Sequence, residues 1–285
     1  MTQPPDTELD QEQYAESPTD KLPARLVGDW SEDKHYYLSH YINIFEMGMH
    51  KKWASRVYID LFAGPGVCML RDEKRLTDGS PLIALKAAHP FTQYFFSDLD
   101  STAISALKKR CEPFKDKTKI AIFEKDCNVV AAEISAQIDS KALCLAFLDP
   151  TGLDLKFSAI KALTNGKNMD LIIHFPHGTT INRNIEKFYA KDKSKMDEFF
   201  DGTEWRAIYE SNPSNQTAQL LDLYGKKLAK IGYKMEPDQA VLVKNPKQNL
   251  PLYALLFASK SPKGNEFWKK IKQIESKGQR GLPGL

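Results

Sequence analysis

Short apolar runs alternate with amphipathic stretches through the middle of this chain. Five apolar runs, at residues 57–61, 93–97, 119–123, 142–148 and 169–175, predict β-strands. The segments between them place apolar residues three and four positions apart, which predicts helices at 81–88, 102–110, 129–137 and 157–164. Strands that alternate with helices are typical of an α/β fold with a parallel sheet and crossover helices.

The flanking segments extend this pattern. Ser31 is a plausible N-cap for an aromatic helix that we expect to cover the main sheet or the mouth of a site. Helices are predicted at 182–189 and 216–231, followed by β-rich runs at 234–244 and 250–259. We expect these two runs to pair antiparallel, with one strand inserted into the parallel sheet. A basic helix at 266–276 would end the fold.

Charge is distributed unevenly along the chain. Residues 1–33 contain nine acids and two bases, a net charge of −7. The remaining residues carry a net charge of +10, which gives the chain its total of +3. Residues 1–28 are polar and proline-containing, which predicts a disordered acidic leader before a domain at 29–260 and a basic helix and tail at 261–285. The basic body can bind DNA or RNA phosphates, although lysines on solvated helix faces are commonplace.

Composition excludes several classes of protein. The sequence contains no apolar run of the roughly 20 residues that a membrane helix needs and no signal-peptide pattern, so we expect a cytoplasmic protein. The four cysteines are widely spaced, which favours neither a metal site nor a disulfide framework. Cys68 follows a glycine turn, but no general base stands near it in the sequence.

A glycine turn follows the first predicted strand, in the run Asp60-Leu-Phe62-Ala-Gly64-Pro-Gly66. Glycines there let the backbone approach a nucleoside ligand, and Asp60 can hold an ammonium group. That chemistry suits S-adenosyl-L-methionine. Neither a complete dinucleotide fingerprint nor a P-loop is present.

Acidic residues also end the next two strands. Asp98 is predicted to accept hydrogen bonds from ribose hydroxyls, whereas Asp100 is the more natural helix cap. Asp126 can accept a hydrogen bond from an adenine amino group, with Asn128 capping the helix that follows. Acids at three successive strand ends predict one cofactor site.

The fourth strand ends in Asp149-Pro150-Thr151-Gly152. Asp149 can accept a proton or a hydrogen bond from a nucleophilic nitrogen, although an Asx turn led by Pro150 is the structural alternative. In Asp-Pro-Pro-aromatic tetrads the aromatic ring stacks an extruded base, but this chain has Thr151-Gly152 in place of the Pro-aromatic pair. Stacking would then need Phe157, Phe175 or His177.

Two further substrate candidates follow the fifth strand. His177 and Arg183 lie in an unusually polar junction between strand and helix, and histidine titrates near neutral pH. The structural alternative makes Thr180 the N-cap of the next helix and Arg183 a surface ion-pair partner.

Several of these runs together resemble a known bacterial family, the three-Cys-motif partner proteins known as TcmP. The resemblance covers about residues 26–260 and rests on the run from Arg56 to Gly66, on Asp78-Gly-Ser-Pro-Leu82, on Asp149-Pro150 and on Asn182-Arg-Asn184. The segment from Gly28 through Trp30 to Lys34 is similar to the start of that family.

The resemblance implies a Rossmann-like class I methyltransferase fold with a seven-stranded sheet and a partner that bears a three-cysteine motif. It implies that Asp60, Gly64, Gly66, Asp98 and Asp126 line the adenosylmethionine site and that Asp149 faces the substrate. The favoured function is a transferase acting on nucleic acid. A non-catalytic adapter of the partner and a protein or small-molecule methyltransferase are the alternatives.

Overall fold

A computed structural model describes residues 13–244 and 250–276. Its centre is a seven-stranded sheet in the order β10-β11-β9-β8-β3-β6-β7. The strands of this sheet are β3 (Arg56–Asp60), β6 (Gln93–Asp98), β7 (Lys119–Glu124), β8 (Leu143–Leu148), β9 (Asn168–Phe175), β10 (Val241–Lys244) and β11 (Pro251–Ala258).

The direction of the strands confirms the predicted fold class. Strands β7, β6, β3, β8 and β9 pair in parallel, and β11 runs antiparallel between β9 and β10. Chain order reverses between β3 and β8, and a crevice forms at such a point in open α/β sheets. The run predicted at 234–244 is shorter in the structure, because only Val241–Lys244 joins β11 and Lys234 makes an isolated bridge to Ser259.

Ten helices accompany the strands in the described part of the chain: α1 (Ser31–Met49), α2 (Ser80–Leu85), α3 (Ser101–Cys111), α4 (Cys127–Gln137), α5 (Phe157–Thr164), α6 (Asn182–Tyr189), α7 (Lys195–Phe200), α8 (Trp205–Ser211), α9 (Gln216–Lys230) and α10 (Pro262–Ser276). Helices α7 and α8 were not predicted. A π-helix at His177–Ile181 leads directly into α6. Because the chain is already helical there, Thr180 is not an N-cap.

Two other predicted caps are also corrected. Trp30, not Ser31, is the N-cap of α1, and its side chain makes no capping hydrogen bond. Asp126, not Asn128, caps α4 by accepting a hydrogen bond from the backbone N–H of Asn128 at 2.7 Å. The prediction that Asp100 caps α3 is confirmed, since its side chain accepts from Thr102 and Ala103.

Part of the predicted leader is ordered. Strands β1 (Tyr14–Glu16) and β2 (Pro23–Val27) form a second sheet with β4 (Val67–Leu70) and β5 (Leu76–Asp78), in the order β1-β2-β4-β5. The prediction of disorder is therefore wrong for residues 13–28, because β2 pairs in parallel with β4 across a long sequence separation that local composition does not reveal. Residues 1–12 of the predicted leader lie outside the described residues.

The buried side chain of Arg110 links this N-terminal segment to the main domain. The guanidinium of Arg110 binds both carboxylate oxygens of Asp20 and donates to the carbonyl oxygens of Pro23 and Pro65. Tyr14 also donates to Asp100 at 2.8 Å. Since Pro65 belongs to the glycine turn, Arg110 links the N-terminal segment to the predicted cofactor site.

Helices α1 and α10 cover one face of the main sheet. Trp268 of α10 is fully buried, stacks on Phe257 at 5.1 Å between ring centroids and contacts Tyr41 of α1. The predicted C-terminal helix is confirmed, but it starts at Pro262 and packs on the main domain; the predicted tail at 277–285 and the turn at 245–249 lie outside the described residues. Among the described residues, no helix is long and apolar enough to cross a membrane.

Candidate functional site

A cavity of about 620 Å³ opens at the carboxyl ends of β3, β6 and β8. This is where an open α/β sheet places its ligand. Its walls come from the glycine turn, the start of α1, the Asp149 loop and the N-terminal segment at residues 25–31. The predicted site residues that line it are Phe62, Gly64, Gly66, Asp98, Asp149 and Pro150.

The carboxylate of Asp98, at the end of the neighbouring strand β6, binds the backbone of the glycine turn. Gly64 and Gly66 adopt φ angles of +59° and +86°, which residues with a Cβ rarely adopt. Asp98 accepts hydrogen bonds from the backbone N–H of Gly64 at 2.8 Å and of Asp100 at 3.0 Å. An added Cβ at Gly64 would meet no atom within 4 Å, so the backbone is exposed to a ligand at this position.

Asp60 lies beneath the cavity instead of in its wall. Its side chain is fully buried, Oδ1 accepts from the backbone N–H of Phe62 at 3.1 Å, and Oδ2 has no partner among the described residues. Burial raises the pKa of Asp60 to about 7, although hydrogen bonds from Ser80 and Phe62 lower it. Ser80 lines the cavity above it. A direct contact between Asp60 and an ammonium group stays a prediction.

Asp149 lies at the opposite end of the cavity and forms an ion pair with Lys34 of α1. Lys34 Nζ lies 2.5 Å from Asp149 Oδ2, and only 14% of the Asp149 side chain is exposed. Burial alone would raise the pKa of Asp149, but Lys34, followed by His174, lowers it below the ordinary value of 3.8. Asp149 is therefore a carboxylate at neutral pH.

Two histidines face this ion pair. His174 on β9 lies with Nδ1 3.1 Å from the carbonyl oxygen of Pro150 and 3.7 Å from Asp149. Nδ1 donates to Pro150, which leaves Nε2 as an acceptor. Burial lowers the pKa values of His174 and of His35 on α1 to about 4, and so both rings are neutral at pH 7.

Four of the predicted site residues lie outside the cavity wall. Besides Asp60, Asp126 caps α4, His177 is buried at 2% exposure with Nδ1 unpartnered among the described residues, and Arg183 is exposed on α6. Thr179 reaches the cavity in place of His177. The predicted roles of Asp126, His177 and Arg183 in binding therefore stay predictions that this arrangement does not support directly.

The predicted sources of a stacking face are corrected. Phe157 and Phe175 are core residues at 1% and 0% exposure, and His177 is also buried, so none of the three presents a ring to the cavity. The aromatic side chains of the wall are Phe62, Trp30 and Tyr253 instead. Cys68 also reaches the wall, but burial raises the pKa of its thiol to about 11, which keeps it protonated.

Four further residues line the cavity although the sequence did not identify them as site residues: Lys34, His35, His174 and Tyr253. Lys34 and His35 lie in the first turn of a helix whose apolar face dominates the pattern. His174 and Tyr253 sit on β9 and β11 within apolar strands, with their rings 4.5 Å apart. A polar residue inside a buried strand was the available signal.

Comparisons with known proteins identify the fold. No protein-family model and no curated protein matches the chain. Among solved structures, the chain is similar to protein LPL1258 of Legionella pneumophila, of family-model DUF519, with a TM-score of 0.55 and 14% identity over 87% of this chain and 92% of that chain.

Two more distant similarities are to TYW2 proteins. The structure of M. jannaschii TYW2 in complex with AdoMet has a TM-score of 0.45 and 11% identity over 88% of each chain. TYW2 of P. horikoshii, in complex with MeSAdo, has a TM-score of 0.42 and 10% identity over 87% of this chain and 72% of that chain. At 14% identity, the similarity to LPL1258 shows the fold alone.

Proposed function

We propose that this chain is an S-adenosyl-L-methionine-dependent methyltransferase that acts on nucleic acid with a three-Cys-motif partner. The proposal rests on one observation: a backbone turn suited to the cofactor and a carboxylate suited to the acceptor line the same cavity. The glycine turn held by Asp98 forms one end, and Asp149 paired with Lys34 forms the other.

The residues of the first end fit the cofactor. A volume of about 620 Å³ lies within the usual range for small-molecule sites. The exposed backbone of Gly64 and the carboxylate of Asp98 suit a nucleoside, with Asp98 accepting from ribose hydroxyls.

The residues of the second end suit the acceptor. Bound adenosylmethionine would supply an electrophilic methyl group on a sulfonium to a nucleophilic nitrogen of the acceptor, with adenosylhomocysteine as the leaving group. Asp149 is a weak base because its pKa is lowered, so its role is to accept a hydrogen bond from the acceptor N–H and orient the lone pair. Lys34 holds Asp149 in that position, and the nitrogen loses its proton to solvent after transfer.

Charge and resemblance support the finer parts of the proposal. The net charge of +10 outside residues 1–33 favours a polyanionic substrate. The motifs from Arg56 to Gly66 and around Asp149 resemble the three-Cys-motif partner family, which supports such a partner. One observation favours a non-catalytic adapter instead: the Lys34 ammonium already occupies the hydrogen-bonding side of Asp149.

Calorimetry with adenosylmethionine and adenosylhomocysteine tests the proposal first. We expect micromolar binding to the wild-type chain and a loss of at least tenfold in Asp98→Ala, with Asp139→Ala as an exposed-acid control. Transfer of a labelled methyl group to RNA or DNA, with and without the partner, then tests the reaction. Absence of binding by the folded protein in the presence of its partner would favour the adapter.

A further inference from the structure

A second groove opens beside the Asp149 end of the cavity. It has a volume of about 850 Å³ and lies between the loop after β8, the π-helix, α6 and the connection from α6 to α7. We call it the lysine groove and define it by six of its wall residues, which are Gly152, Thr180, Asn184, Phe188, Lys191 and Lys193. Neither the cofactor nor the acceptor role of Asp149 accounts for it.

The lysine groove and the cavity are lined by consecutive residues at two places along the chain. Thr151 lines the cavity and the next residue, Gly152, lines the groove. In the π-helix, Thr179 lines the cavity and Thr180 lines the groove. A ligand that lies in the groove can therefore extend one of its groups towards Asp149.

The charge of the groove favours an anionic ligand. Residues 182–195 contain five bases and two acids. Each acid of the wall is already paired with a cation: Asp154 with Lys195, Asp197 with Arg206, and Glu198 with Lys156. Lys191 and Lys193 are exposed and form no ion pair with any residue in 13–244 or 250–276. Their ammonium groups are free to bind phosphates.

The groove also presents an aromatic face. Phe188 packs against the core with one part of its ring and lines the groove with another. Asn184 lies one turn earlier on α6, and its amide N–H donates to the carbonyl oxygen of Thr180 at 3.0 Å, which leaves its own carbonyl free. Unpaired cations beside an aromatic ring are typical of sites for single-stranded nucleic acid, where bases stack and the backbone is neutralised.

The burial of Asp149 decides between single and double strands. With only 14% of its side chain exposed, Asp149 is reached by a base that extends into the cavity, and a base within a duplex cannot do so without leaving the stack. We infer that the lysine groove binds a single-stranded polynucleotide and directs one unpaired base towards Asp149. This inference rests on the proposed function and names its substrate class.

Fluorescence anisotropy with the full-length chain tests the inference. The probes are a labelled 12-nucleotide single-stranded RNA, the DNA strand of the same sequence and the corresponding duplex. The double variant Lys191→Gln/Lys193→Gln should weaken single-strand binding about tenfold at low salt and reduce the slope of log K against log salt by about 1.4. Lys108→Gln/Lys109→Gln removes the same charge from exposed positions of α3 and should leave both quantities unchanged.

A second variant tests the aromatic face. Phe188→Leu keeps apolar volume against the core but removes the ring, and we expect at least about fivefold weaker binding of the single strand. Equal affinities for wild type and the lysine variant, equal losses in the α3 control, or a preference for duplex would each overturn the inference. Calorimetry of adenosylmethionine separates the two proposals, since its failure overturns the proposed function whatever the probes show.

Discussion

Two carboxylates end neighbouring strands of the same sheet, yet the fold treats them in opposite ways. Asp60 is the last residue of β3 and pairs with Phe147 of β8. Asp149 lies two residues after Phe147, directly beyond the end of β8. Both are buried. The pKa of Asp60 is raised to about 7, whereas that of Asp149 is lowered below its ordinary value.

The difference comes from what each carboxylate meets. Asp60 has one backbone N–H and Ser80 near it, and its Oδ2 has no partner in the described structure. Asp149 has the ammonium of Lys34 at 2.5 Å. The ammonium of Lys34 outweighs the effect of burial on the pKa of Asp149, whereas the uncharged donors near Asp60 do not outweigh it there. Asp60 therefore suits a structural role under the glycine turn, and Asp149 suits a role that needs a permanent negative charge.

Loss of Asp149 is expected to have the largest effect. Asp149→Ala should reduce the rate of methyl transfer by about 10²-fold, because the acceptor loses the hydrogen bond that orients it, while the Kd of adenosylmethionine changes little. Asp139→Ala removes an exposed acid that lines neither the cavity nor the lysine groove, and it is the control. Unchanged transfer in Asp149→Ala would contradict the assigned role.

Removal of the counterion should make Asp149 resemble Asp60. In Lys34→Met, burial is no longer opposed by the ammonium, so the pKa of Asp149 rises and the carboxylate ionises only at higher pH. We expect roughly 10–100-fold slower transfer at pH 6, with the acidic limb of the pH–rate profile moved to higher pH. Lys34→Arg should restore the wild-type limb. A profile of unchanged shape in the methionine variant would show that Lys34 does not set the ionisation of Asp149.

The cofactor end is tested by Asp98. Asp98→Asn keeps the shape of the side chain but loses the negative charge that accepts from Gly64 and, in the proposed complex, from ribose hydroxyls. We expect adenosylmethionine to bind about tenfold more weakly, since charge-assisted hydrogen bonds contribute roughly 1.5–3 kcal/mol. Calorimetry measures the change, and binding equal to wild type would remove Asp98 from the site.

Asp60 is expected to affect stability through pH. Its pKa in the folded state, about 7, lies above the ordinary 3.8, so the folded protein holds the proton and gains stability at low pH. That contribution is lost as pH rises through 7. Asp60→Asn cannot ionise and should flatten the fall of the free energy of unfolding between about pH 4 and 7, by up to a few kcal/mol.

Urea unfolding at several pH values measures this slope. The same variant also tests the predicted ammonium contact. Binding of adenosylmethionine to Asp60→Asn at pH 8 should be within a few-fold of wild type if Asp60 acts only beneath Ser80. A loss of tenfold or more would instead support the direct contact.

Cys68 should have the smallest effect. Burial raises the pKa of its thiol to about 11, so it contributes no thiolate at neutral pH. Cys68→Ala is expected to change the rate of methyl transfer less than about twofold, because thiols of raised pKa are poor nucleophiles. A large rate loss with unchanged cofactor affinity would point to covalent participation.

Much of the fold was predictable because it depends on patterns within short segments of the sequence. The five parallel strands, the antiparallel pair after residue 230 and the cover helix all follow from apolar periodicity, and the glycine turn and Asp98 follow from residue types at strand ends. The N-terminal strands were not predictable, because Pro23–Val27 becomes a strand through pairing with Val67–Leu70. Helices α7 and α8 are too short to give a clear period.

The sequence by itself determined the order of elements, the glycine turn and the acids that follow the strands, because each depends on neighbours within a few positions. Only the tertiary structure decided how those acids differ. It brought Lys34 to Asp149 from 115 residues away, buried Asp60 without a cation, and placed the lysine groove beside the cavity. The ionisation of a side chain depends on charges and solvent within a few ångströms, and residues far apart in sequence supply them here.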